Sequence, residues 1–231
     1  MLFRSLPFLG DEVTGKTLAI IGTGRIGLAL IRKATGFDMN MLCYDPVYQN
    51  HAFVKSVQQL MDTRHALGLQ KEKTSIRYVG LEEALSGADY VSLHVPLLRE
   101  GESETPTYHL INERTLQLMK PTAYLVNTSR GPVVDEKALA RGLKEGWIAG
   151  AALDVFEKEP LPPDSPLRDP TIEDRCRIFH HFASGARITR LSTDPDKGMA
   201  GRTVQGLIDV LEGNYGGDVT KMPYVVNKEA F

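Results

Sequence analysis

A buried-strand pattern, TLAII at 17–21, runs straight into Gly22-Thr23-Gly24-Arg25-Ile26-Gly27, and the residues after it carry apolar positions at helical spacing. A strand that ends on G-x-G-x-x-G and opens a helix admits few folds. Gly22 permits a tight turn, Gly24 lets an anionic group approach the backbone, and Gly27 lets helix and strand pack closely. The unpaired N–H groups of Arg25 and Ile26 then face an anion in a favourable dipole field.

The same alternation continues along the chain. Strand patterns at 39–44, 76–79, 88–94, 124–128, 148–155 and 177–179 are separated by helical ones. The helix after the glycine loop ends at Gly36. His51–Leu67 is amphipathic through Phe53, Val54, Val57, Leu60, Met61 and Leu67. Asn112 caps a helix through Met119, and Asp135 caps another that closes at Gly146. Pro195 opens a last helix with Met199, Val204, Leu207, Ile208 and Leu211 as its apolar positions. Strands alternating with helices predict an α/β chain with a Rossmann-type, doubly wound parallel sheet. The boundaries expected are a linker remnant at 1–14, the sheet domain at 15–184, and a helix and tail at 185–231.

Composition narrows the function classes. The 231 residues are 42% apolar and 24% charged, with a net charge of −2, which excludes a disordered chain and a nucleic-acid binder acting by bulk charge. The most apolar stretch, Leu18–Ile31, is broken by Arg25 and three glycines, so no membrane span is expected. The start has no cleavage-site pattern of a secretory signal. Two cysteines, Cys43 and Cys176, make neither a disulfide framework nor a metal site and read as buried thiols. The cytoplasm is the compartment expected.

Asp45 lies 18 residues after Gly27, at the end of the second strand. Its carboxylate can accept both hydroxyls of a ribose and would repel a 2′-phosphate, so the loop and Asp45 together point to NAD. Three later strand ends carry further chemistry: Arg130 after 124–128, Asp154, Glu157 and Glu159 after 148–155, and His180 and His181 after 177–179. A guanidinium fork binds a carboxylate and polarises the carbonyl beside it. An imidazole can deliver a proton as hydride arrives, and a neighbouring Glu raises its pKa and orients the ring. That set suits interconversion of a 2-keto acid and a 2-hydroxy acid.

The strings GKTLAIIGTGRIG, YVSLHVPL, TYHLIN, LVNTSRGPVVDEKAL, AALDVFEKEP and HHFAS, in this order, resemble the D-isomer-specific 2-hydroxyacid dehydrogenases. The segment from Tyr48 to Val79 is similar to the hydroxypyruvate reductase (glycerate dehydrogenase) branch. The resemblance implies that Arg130 binds the substrate carboxylate and carbonyl, that Glu159 partners the catalytic His, and that His181 is the acid–base. His180 stands where the family usually has Pro. It also implies Val95, Pro96, Thr107 and Thr128 along the cofactor site, with Asp154 near the nicotinamide. His94 and His109 lie in family strings without an assigned role. Hydroxypyruvate or glyoxylate is the expected substrate, and a homodimer the expected assembly. Family members carry an N-terminal half-domain before the glycine loop, so the resemblance implies the cofactor half and part of an incomplete second domain here. The competing expectation is a non-catalytic NAD-binding protein, co-repressor-like or an inactive fragment.

Overall fold

The computed structural model describes residues 12–194 and 198–223. Seven strands form one sheet: β1 (Thr17–Ile21), β2 (Asn40–Tyr44), β3 (Ile76–Tyr78), β4 (Tyr90–Leu93), β5 (Tyr124–Asn127), β6 (Gly150–Leu153) and β7 (Cys176–Ile178). Their spatial order is β3-β2-β1-β4-β5-β6-β7, and every pairing is parallel. Chain order reverses between β1 and β4, which is where open sheets of this kind leave a crevice at their carboxyl ends.

The near-continuous apolar strands follow from burial on both faces. Side chains alternate across β1: Ala19 and Ile21 enter a core with Leu85, Val91, Leu125 and Leu139, whereas Leu18 and Ile20 enter a second core with Ile31, Met41, Val54 and Met61. Helices α3 (Leu81–Gly87), α4 (Glu113–Leu118) and α5 (Glu136–Glu145) supply the first layer. Helices α1 (Arg25–Ala34) and α2 (His51–Ala66) supply the second. Local signals explain several boundaries. Asp135 Oδ1 accepts from the backbone of Lys137 and Ala138, Gly146 closes α5 at φ 78°, and Asn112 forms a capping box with Thr115.

Four expectations change. Gly36 does not close α1; the helix passes into a 3-10 turn at Thr35–Phe37, and Asp38 takes the left-handed conformation at φ 54°. In α2, Val54, Val57 and Met61 are buried, but Leu60 and Leu67 are exposed, because a helix at the sheet's margin covers a narrow stripe. The start expected at Pro195 lies outside the described residues, and α7 runs from Met199 to Leu211 after a short helix α6 (Arg187–Leu191). Finally, α7 buries Gly201, Gly206 and Asp209 and leaves Met199, Val204, Leu207 and Leu211 exposed. A Cβ on Gly201 would lie 2.5 Å from the Thr193 carbonyl oxygen, so the helix turns its glycine side toward the preceding segment.

The chain divides into two compact units after His180. The linker expected at 1–14 lies outside the described residues except for Glu12–Thr14, as does the end of the tail. Among the described residues no helix is long and apolar enough to cross a membrane. Both cysteines are buried free thiols, and burial pushes Cys43 up to about 12 and Cys176 up to about 11.

Candidate functional site

The glycine loop joins β1 to α1 at the sheet's point of reversal. Gly22 has φ 97°, and a Cβ there would meet the His94 carbonyl oxygen at 2.7 Å. A Cβ on Gly27 would fall 2.0 Å from the Gly22 carbonyl oxygen, so helix and turn touch backbone to backbone. Gly24 has open space where its Cβ would point. It caps α1 without a side chain, which leaves the first-turn amides of Arg25 and Ile26 without a side-chain acceptor. Here a small anionic group has room and donors together.

A cavity of about 300 Å³ opens beside this turn. Six of the residues expected at the cofactor site line it: Gly22, Gly24, Asp45, Val95, Pro96 and Thr107. Arg25, Ile26 and Gly27 stand in the first turn of α1, while Thr128 and Asp154 follow β5 and β6. Thr107 is tied into the wall, its hydroxyl donating to Pro96 O and accepting from Leu98 N. Tyr48, His94 and Leu98 also line the cavity; His94 lies in the string YVSLHVPL without an assigned role, and the sequence reading expects neither Tyr48 nor Leu98 there. His94 bonds Ser92 Oγ at 2.9 Å, and burial lowers its pKa to about 4, so it is neutral at physiological pH.

Asp45 is held from two sides. Its Oδ2 accepts from Thr23 N at 2.8 Å, and its Oδ1 accepts from Val47 N at 3.0 Å and Tyr48 N at 2.7 Å. These bonds fix the carboxylate at the end of β2 on the cavity wall.

The Arg130 turn is built by a residue that the sequence reading passes over. Asn127, 1% exposed at the end of β5, accepts from Ser129 N and Ser129 Oγ and donates from Nδ2 to Arg130 O. Its signal is present in the sequence, because an Asn side chain commonly builds a turn with the backbone just after it. Arg130 is exposed, and its Nη1 donates to Ser129 O at 2.7 Å. Gly131 then packs on the next loop: a Cβ there would sit 1.8 Å from the Phe156 carbonyl carbon. Asp154 N also donates to Asn127 O at 3.0 Å. The loops that carry Arg130 and Glu159 are thus in direct backbone contact.

The structure distinguishes among the carboxylates of the second loop. Glu157 Oε1 bonds His109 Nε2 at 2.9 Å and accepts from Glu136 N, while Glu157 N donates to Glu136 Oε1 at 2.6 Å. Glu157 is therefore engaged in a bracing cluster. Glu136 is held above its ordinary value by burial and by the Glu157 and Asp135 charges. Glu159 is exposed at the loop's tip, and its Oε1 accepts from Phe156 N at 3.2 Å. Asp154 is buried. His180 ends the first unit, and His181 opens the second, exposed and with φ 54°. Among the described residues no His, Cys, Asp and Glu cluster could hold a metal ion.

A family model described as "D-isomer specific 2-hydroxyacid dehydrogenase, NAD binding domain" matches residues 3–183. A glyoxylate reductase of Korarchaeum cryptofilum (strain OPF8) is 52% identical over 188 residues, 81% of this chain and 48% of that protein. The crystal structure of the TT0316 protein from Thermus thermophilus superposes with a TM-score of 0.69 at 33% identity, covering 92% of this chain and 56% of that one. An NAD-dependent formate dehydrogenase from Staphylococcus aureus, solved in complex with NAD, gives 0.58 at 29% identity, covering 76% of this chain and 44% of its own. The chain spans about half the length of the relatives it matches.

Proposed function

The chain belongs to the D-isomer specific 2-hydroxyacid dehydrogenases through their NAD-binding domain, and on that premise we propose that it binds NAD in the cavity at the β1–β4 reversal and reduces a small 2-keto acid. Of the two substrates expected, glyoxylate is the one in the name of the Korarchaeum relative. The observation that carries the reading is the backbone contact between Gly131 and Phe156. It joins the loops bearing a guanidinium and a carboxylate at the rim that also carries the Asp45 cavity.

When bound, NADH supplies the hydride. The amides around Gly22, Gly24, Arg25 and Ile26 hold its pyrophosphate, and Asp45 accepts from the ribose hydroxyls. Arg130 grips the substrate carboxylate by two N–H groups and polarises the adjacent carbonyl. His181 is assigned as the proton donor to the carbonyl oxygen, and Glu159 as the carboxylate partner that the family resemblance gives it. Val95, Pro96 and Thr107 line the cavity, and Thr128 and Asp154 extend the site along the same rim. The reading includes a homodimer, to be checked by sedimentation, and a cytoplasmic setting supported by the two buried thiols.

The test is NADH binding followed by fluorescence, and then loss of NADH on addition of glyoxylate. Replacing His181 or Arg130 by Ala is expected to lower kcat/KM by about 10²-fold or more. Unchanged rates in both variants would overturn the assigned roles, and binding without turnover would favour the non-catalytic alternative.

A further inference from the structure

Thr23, between the first two glycines of the loop, is 0% exposed and does not line the cavity. Its hydroxyl instead belongs to a directed chain of hydrogen bonds. Asn50 N donates to Tyr78 Oη at 2.9 Å, Tyr78 Oη donates to Thr23 Oγ1 at 3.0 Å, and Thr23 Oγ1 donates to Tyr48 O at 2.7 Å. Thr23 Oγ1 also lies 3.4 Å from Asp45 Oδ2, but its one proton goes to the nearer Tyr48 O, so each hydroxyl gives one proton and accepts one along the chain. It links residues of the β1 turn, of the 46–50 loop and of β3. The ring of Tyr78 also meets His51 edge-on, with centroids 5.0 Å apart, at the first turn of α2.

What this chain fixes is the wall of the cavity at Asp45. Pro46, Val47 and Tyr48 line it, and Val47 N and Tyr48 N clamp the Asp45 carboxylate. The Tyr48 carbonyl is anchored by Thr23, and the backbone two residues further on is anchored by Tyr78. We propose that Tyr78 and Thr23 are positioning residues that set the cavity's preference for a dinucleotide with a free ribose diol over one carrying a 2′-phosphate. They touch no ligand. They act by holding Asp45 and the 46–48 wall where a phosphate finds a fixed negative charge and no space to move it. This rests on the NAD reading of the cavity.

The experiment measures Kd for NADH and for NADPH by fluorescence titration of the whole chain. Tyr78→Phe keeps the ring and removes the hydroxyl. It is expected to weaken NADH about three- to tenfold, the worth of one lost hydrogen bond, and to weaken NADPH less, so that discrimination falls. Thr23→Val should behave alike, Thr23→Ser should restore the unsubstituted ratio, and the double variant should be no worse than the poorer single one. A purely structural role would weaken both dinucleotides equally. That result, or a ratio within twofold of the unsubstituted chain in both Tyr78→Phe and Thr23→Val, overturns the proposal alone. Absence of NADH binding by the unsubstituted chain overturns the NAD reading and this proposal together.

Discussion

Gly24 and Gly131 separate two reasons for a glycine at a site. A Cβ on Gly24 meets open space and its φ is −68°, so Ala fits without strain. A Cβ on Gly131 would overlap the Phe156 carbonyl. Gly24→Ala is therefore expected to melt within about 2 °C of the parent yet weaken NADH about tenfold, by occupying the space a pyrophosphate needs. Gly131→Ala is expected to lose about 1–3 kcal/mol of stability, read by denaturant titration. Equal effects of the two on melting would contradict this division. His94 gives a pH prediction. Its folded pKa of about 4 lies below the unfolded 6.5, so the unfolded chain binds more protons between these values. Stability then rises with pH across that window, and acid from pH 6.5 to 4 draws the protein toward unfolding. Melting followed over this range should show the loss, and His94→Asn should flatten it.

At the scale of elements, what the sequence makes legible is what neighbouring residues decide among themselves. Asp135 and Gly146 bound α5 through bonds within three or four residues, and both are visible as caps. Asp135→Ala should cost about 1 kcal/mol, measured in a chemical melt, because two backbone donors lose their acceptor. The glycine turn and Asp45 are visible for the same reason: a strand, a turn and a spacing are local. The apolar side of α7 is misread, because Gly201 and Thr193 decide which face turns inward and periodicity ranks glycines last. The Glu157–His109 bond spans 48 residues and the Tyr78–Thr23 bond spans 55, and no pattern in either segment announces its partner. Glu157 and Glu159 look alike in the string EKEP. The family resemblance singles out Glu159, but the physical reason that Glu157 is the brace and Glu159 the exposed tip is the arrival of His109 and Glu136.

At the scale of the molecule, the first unit gathers its glycine turn, Asp45, Arg130 and Glu159 on loops that follow strands. A ligand held there by the folded chain and not by the unfolded one must raise the melting temperature. NADH at roughly 100 times its Kd should add about 2.7 kcal/mol. Calorimetry showing no shift at saturating NADH would refute specific binding to the native state.

The uniform direction of the seven strands also divides tolerance to change. One rim of the sheet carries the glycine turn, Asp45 and the Arg130 loop, while turns at the other rim, such as the exposed turn at 67–69 after α2, lie away from them. Peptide tags or grafted segments therefore belong at that second rim. Descendants of this chain could lengthen those turns freely while leaving the chemistry untouched.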